Sequence, residues 1–285
     1  MTKEQIVVQI NPDTMPSGSD LAVVNAARRS FGKRSDWDYF SKSKQDMQID
    51  ERLYPKEHLD KWAIKKLKDK DKRLLEFLAR GMTADDFEAF KSEVRDAAHY
   101  EYKHDGETDL LDLLWQWRNT PTHESPFGHV FFSFEIKIPI FVARQLVKHK
   151  FLRWSEFSRR YITDDVEFYV HDYREAAKDK KQGSGGLHPD NEHYQRVIRL
   201  KNMDALKTYN DLIASNVAPE QARGHLPQDL MTAATWSGSL DAFANMCKLR
   251  LGSDAQAESR YVAEQVYKYL EEYCPVSAKA LVYGV

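Results

Sequence analysis

Residues 132–138 read FSFEIKI, a strict alternation that constrains the fold more than any other stretch of the chain. Phe132, Phe134, Ile136 and Ile138 fall on one face at period two, and Ser133, Glu135 and Lys137 fall on the other. That is the pattern of a half-buried strand. Pro139 follows, and proline is well placed in the first turn of a helix, so a helix is expected to leave the end of this strand. On it, Gln145, Lys148 and His149 stand at i, i+3 and i+4 and share a face. The next residues, FLRWSEFSRRY, lose helical spacing. Glu156, Ser158 and Arg160 alternate there, which in an extended loop points them the same way.

This region also concentrates positive charge. Arg144, Lys148, Lys150, Arg153, Arg159 and Arg160 lie within residues 141–161, with His149, Glu156 and Ser158 among them, in a chain whose formal net charge is −2. A local cationic cluster mixed with hydroxyl, carboxylate and aromatic groups suits a polyanionic ligand such as a phosphorylated nucleotide or a dinucleotide cofactor.

The remaining elements follow from periodicity and punctuation. Residues 6–10 read as a short strand, and Ser19 or Asp20 as the cap of a helix over LAVVNAARRSF. The Lys- and Asp-rich residues 33–76 read as solvated helix and loop. Thr83 opens a helix to about His99 with acids in its first turn, and residues 108–118 are apolar at helical spacing. Residues 167–170 resemble a strand. Residues 178–191, with Gly-Ser-Gly-Gly at the centre, read as a flexible linker, because neither a leading strand nor a GKS or GKT supports a phosphate loop. Helices are expected at roughly 191–215, 218–226, 239–251 and 255–273.

Near-neutral charge gives no case for bulk binding to nucleic acid or an anionic membrane. No apolar run reaches the ~18 residues of a membrane span, and the first residues lack the apolar core of a signal peptide. Cys247 and Cys274 show no metal-ligand spacing, so no metal is expected, and a reducing cytoplasm is.

Five segments together resemble the flavin-dependent thymidylate synthase family. The family's Arg-His-Arg, seven residues, then Ser is matched by Lys148-His149-Lys150 and Ser158, preceded by PIFVARQ and followed by Arg160 and Tyr161. VVNAARRSFG at 23–32, HESPF at 123–127, APEQARGHLP at 218–227 and KLRLGSDAQAE at 248–258 resemble further family elements in the family's order. The resemblance implies an α/β fold of the α+β type, with a central, largely antiparallel sheet packed by helices. It implies one domain over 1–285 with an enlarged charged region at about 33–118, and a homotetramer with sites shared between subunits. It further implies methylation of dUMP to dTMP with 5,10-methylenetetrahydrofolate, FAD and NADPH.

Under that resemblance, Ser125, Lys148, His149, Lys150, Glu156 and Asn245 contact FAD. Gln145, Ser158, Arg160 and Arg223, with Lys148 and Arg159, hold the nucleotide. Arg250 sits at the N3/O4 edge of the base, where a cation stabilises the ionised pyrimidine. The chain departs from the family at several positions. Both flanking arginines are lysines, which keep charge but lose the planar fork. Ser155, Arg159, Ser239, Asp241, Gly252 and Asp254 stand where other residues are usual. These departures leave open a pyrimidine nucleotide hydroxymethylase or a dCMP methylase on the same fold. A nucleic-acid-binding module using KHKFLRWSEFSRRY as a cationic and aromatic strip is the reading from another class.

Overall fold

The computed structural model describes residues 3–44, 47–101, 107–158, 166–177 and 184–284. The strands are β1 (Val7–Ile10), β2 (Asp38–Phe40), β3 (Ile64–Lys66), β4 (Phe131–Pro139), β5 (Leu152–Glu156), β6 (Arg174–Ala176), β7 (Ser184–Leu187) and β8 (Met231–Ser239). The helices are α1 (Asp20–Arg29), α2 (Lys56–Trp62), α3 (Asp69–Arg80), α4 (Ala84–Glu101), α5 (Glu107–Arg118) and α6 (Ile140–Leu146). They continue with α7 (Asn191–Ala214), α8 (Pro219–Ala222), α9 (Leu240–Arg250), α10 (Ala257–Tyr273) and α11 (Pro275–Tyr283). The class is a mixture of helices and antiparallel sheet, as expected from the sequence. The chain forms two compact units, one from 1–16 with 131–269 and one from 17–130 with 270–285.

The first unit is built on an antiparallel sheet of order β1-β4-β8-β5. The alternating run forms β4, and Phe132, Phe134, Ile136 and Ile138 are all at most 2% exposed. Burying each such side chain is worth about 1.5–3 kcal/mol, so a one-residue slip that exposed all four would cost roughly the net stability of a typical domain. Register is therefore fixed. Phe243 of α9 packs edge-on against Phe134 and Trp236, with ring centroids 4.9 and 5.1 Å away, which ties α9 to the two central strands.

β8, which pairs with both β4 and β5, has no counterpart among the expected elements. Residues 167–170, expected as a strand, run extended beside 229–231 but make only an isolated bridge, Phe168 to Leu230. Part of the expected linker is strand instead: β7 pairs with β6.

In the second unit, residues 33–76 are more than solvated helix and loop. β2 and β3 pair, and Tyr39, Ile49, Leu59 and Ala63 form a small core of their own with Trp37 against it. α4 begins where expected, with Thr83 Oγ1 accepting from the Asp86 amide at 3.1 Å. Ser19 stands at the start of α1 but makes no side-chain cap. Asp20 turns away from its own helix and caps α11, accepting from the Val276 and Ser277 amides at 2.9 Å each. Gly81 ends α3 at φ 73°, and a Cβ there would lie 2.0 Å from the Pro121 carbonyl oxygen, so both its backbone angle and its surroundings require glycine.

Candidate functional site

α6 leaves β4 at Pro139, as expected, but ends at Leu146. Lys148 and His149 therefore do not share a helical face with Gln145; they lie in the turn beyond it. The helix end creates the site's first feature. A last-turn carbonyl has no partner within its own helix, and Arg250, the last residue of α9, donates through Nη2 to the Gln145 carbonyl at 3.1 Å. Arg250 Nε donates to His149 Nε2 at 3.1 Å. The imidazole must be neutral to accept there, and burial, with the Arg250 charge beside it, holds the His149 pKa below its ordinary value. Burial also lowers the Arg250 pKa, though not enough to threaten its charge.

The Gln145 side chain is oriented in turn. Its Oε1 accepts from Ser259 Oγ at 2.9 Å, and its Nε2 donates to Gln256 Oε1 at 2.6 Å. Gln256 and Ser259 come from the start of α10, so three elements converge on Gln145, His149 and Arg250. Glu258 of the same segment is buried and ion-paired with Arg174.

Glu156 ends β5, so the expected extended loop is a paired strand up to that point. Its Oε1 accepts from Thr232 Oγ1 at 2.9 Å and its Oε2 from Trp154 Nε1 at 3.0 Å. Glu156 and Arg223 line one recess of about 110 Å³, with Ile140, Phe157 and Thr232. Arg223 starts a short 3-10 turn after α8 rather than continuing the expected helix over 218–226. Lys148 and Lys150 are exposed and have no ion-pair partner among the described residues. Between them and β5 stands Phe151, 83% exposed and at φ 65°, a conformation that costs a bulky L-residue about 1–2 kcal/mol.

The structure does not bring every expected residue to this place. Asn245 is exposed on α9, five positions before Arg250 and so on a different face. Ser125 belongs to the second unit, in a 3-10 turn over Ser125–His129. Ser158 is half-buried just past β5. Arg159 and Arg160 lie outside the described residues. No sequence pattern marks Thr232, Trp154 or Ser259 as site residues, because each becomes a partner only through tertiary placement. Asp241, in the first turn of α9, has a buried Oδ1 without a hydrogen-bond partner among the described residues.

Among the described residues there is no cluster of His, Cys, Asp and Glu able to hold a metal ion, and no helix long and apolar enough to cross a membrane. Cys247 and Cys274 are free and buried, and burial pushes both thiols up.

Comparison with known proteins places the chain. A flavin-dependent thymidylate synthase of Thermus thermophilus is 37% identical over 169 residues, covering 59% of this chain and 61% of that protein. The enzyme of the same name from Kosmotoga olearia is 36% identical over 163 residues, 56% of this chain and 71% of that protein. The chain thus spans about three fifths of the length of the Thermus relative. Among solved structures, a UMP/dUMP methylase, PolB, from Streptomyces cacaoi bound with 5-Br dUMP superposes with a TM-score of 0.62 at 24% identity, covering 96% of this chain and 94% of that one, which shows the shared fold. The sequence model described as thymidylate synthase complementing protein matches residues 13–276, so the chain belongs to that family.

Proposed function

We propose that this protein methylates dUMP to dTMP. The C5 hydrogen would be replaced by a methyl group whose carbon comes from 5,10-methylenetetrahydrofolate, with NADPH as the source of the reducing equivalents and tetrahydrofolate and NADP as the other products. The observation that carries this reading is the guanidinium of Arg250, aimed by a neutral imidazole and a helix-end carbonyl. Relatives named flavin-dependent thymidylate synthase, and a fold shared with a protein named a UMP/dUMP methylase, support it.

Uracil C5 is a weak nucleophile until the ring gains electron density. A cation held at the N3/O4 edge stabilises the charge that develops there, and Arg250 is the residue given that role. Glu156, fixed at both oxygens, lines a recess with Arg223. Ser158, Arg159, Arg160, Arg223 and the Gln145 amide bind the nucleotide, the cations on its phosphate.

The donor set of the turn suits a flavin dinucleotide. Lys148 and Lys150 offer two uncompensated ammonium groups beside a neutral imidazole, which matches a pyrophosphate joined to a planar ring. Those three residues, with Glu156, are the ones that would hold it. When bound, FAD supplies the two-electron carrier that no side chain provides. We take residues 1–285 as one catalytic domain, acting in the cytoplasm as a homotetramer with shared sites; two buried unpaired cysteines fit a reducing compartment.

The test is incubation of FAD-loaded protein with labelled dUMP or dCMP, methylenetetrahydrofolate and NADPH, with products identified by mass. Labelled dTMP is the expected product. A 5-hydroxymethyl product, or turnover of dCMP alone, would replace this reading with one of its alternatives, and no product from either nucleotide would remove it.

A further inference from the structure

Ser259 lies one residue past the 248–258 segment that carries the family resemblance, in the first turn of α10, and it is fully buried. A buried hydroxyl proton needs an acceptor, because it has given up its bond to water. The one side-chain bond that Ser259 makes among the described residues is its Oγ donating to Gln145 Oε1 at 2.9 Å. The amide is thereby set. With Oε1 turned to Ser259, Nε2 faces Gln256 Oε1, to which it donates at 2.6 Å. The reverse orientation would put an N–H on the Ser259 oxygen and leave the hydroxyl proton in the interior without an acceptor.

The same polarity runs through the cluster. Gln145 Oε1 is held against a buried group, and the Gln145 main-chain carbonyl accepts from Arg250 Nη2. His149 Nε2 accepts from Arg250 Nε, so the neutral ring carries its proton on Nδ1, which has no hydrogen-bond partner among the described residues. Arg250 spends one N–H at Nε and one at Nη2 and keeps the rest of its fork. Gln145 spends one N–H on Gln256 and keeps the other. What these three side chains have left to offer is donors. The guanidinium can do nothing else, and the imidazole is fixed by the guanidinium. Only the Gln145 amide could present an oxygen instead, and Ser259 is what prevents it.

We propose that Ser259 is a positioning residue that sets the hydrogen-bond polarity of the Gln145 amide, so that this cluster takes acceptor oxygens of a nucleotide and turns away amino groups. Two oxygens share that chemistry: a phosphate oxygen and a uracil ring carbonyl. Facing the ring, a donating amide meets O4 of uracil and confronts the 4-amino group of cytosine, N–H against N–H. Facing the phosphate, it is indifferent to the base. The proposal rests on the reading of this cluster as a nucleotide site.

The experiment measures by calorimetry the affinity of the full chain for dUMP, dCMP and deoxyuridine. It compares the parent with Ser259→Ala, Gln145→Ala and the double variant, with thermal melts as the control on folding. Ser259→Ala removes only a hydroxyl oxygen and its proton, so the fold is expected to survive. It should weaken dUMP by about tenfold, and it should have no further effect once Gln145 is alanine, because the hydroxyl acts only through the amide. Weakened dUMP and deoxyuridine, with dCMP unchanged or tighter, identifies the ring carbonyl. Equal weakening of dUMP and dCMP, with deoxyuridine unchanged, identifies the phosphate. A dUMP affinity that Ser259→Ala leaves unchanged, or lowers to the same degree with and without the Gln145 side chain, would overturn the proposal and make Ser259 a packing residue. A parent that binds none of the three would remove the nucleotide reading and the proposal with it.

Discussion

Arg250 and His149 meet as donor and acceptor, Nε to Nε2 at 3.1 Å, so the guanidinium is held by an uncharged ring rather than by a carboxylate. A carboxylate would orient the cation and also neutralise it. An imidazole orients it and leaves its full charge for a substrate. Arg250→Ala should therefore keep the fold and flavin binding but lose about a hundred- to thousandfold in methyl transfer. Lys248, exposed and two positions earlier, points elsewhere on α9, and Lys248→Ala should be mild. Steady-state turnover of the two variants checks this; full activity in Arg250→Ala would remove the residue from the chemistry.

Stability of the ligand-free protein should fall on the acidic side. His149 titrates below its ordinary value of 6.5 in the fold and near that value when unfolded. Its contribution is complete above about pH 6.5, then erodes as pH falls toward the folded value, because the unfolded chain takes the proton first. Thermal melts from pH 8 down to 5 should decline less in His149→Asn than in the parent. Identical slopes would mean that other groups set the acid limb.

Phe151 sits at φ 65° with most of its surface in solvent, so its backbone carries strain that packing does not offset. Phe151→Gly should melt no lower than the parent, while Phe151→Val should be less stable than Phe151→Gly by about 1–2 kcal/mol. Denaturant titration of the pair gives the difference directly, and equal midpoints would show that the turn relaxes freely.

Gly81→Ala is expected to be far more damaging than an exposed alanine replacement. The methyl group would meet the Pro121 carbonyl oxygen at 2.0 Å, and that neighbour is backbone, which cannot rotate away. A loss of more than about 2 kcal/mol follows from the backbone angle and the overlap together. Circular dichroism melts test it, and a shift of only a degree or two would show that α3 can end in another way.

The sequence made β4 plain because bulky apolar and polar groups alternate along it. β8, its neighbour, stayed hidden although it is central to the same sheet. Ala233, Ala234, Ser237 and Gly238 are small, so no periodic bulk marks its faces, and only pairing on both edges defines it. The satellite core was equally opaque, since Tyr39, Ile49, Leu59 and Ala63 have no common period. At the site, the motif residues were legible by pattern. What orients them was not: Thr232 reaches Glu156 through strand register, and Ser259 reaches Gln145 across 114 positions.

The interleaving of the two units has a consequence during synthesis. Gln9 and Glu135, which hydrogen-bond between β1 and β4, are 126 residues apart, and Asp20 caps α11 across 257. At about 5–20 residues per second, β1 waits roughly 6–25 s for its partner strand to be translated, and Asp20 waits about twice as long. The first turns of α1 therefore emerge with an unshielded carboxylate and an unpaired strand before them. Folding of either unit on the ribosome is timed by its most distant segment, not its nearest.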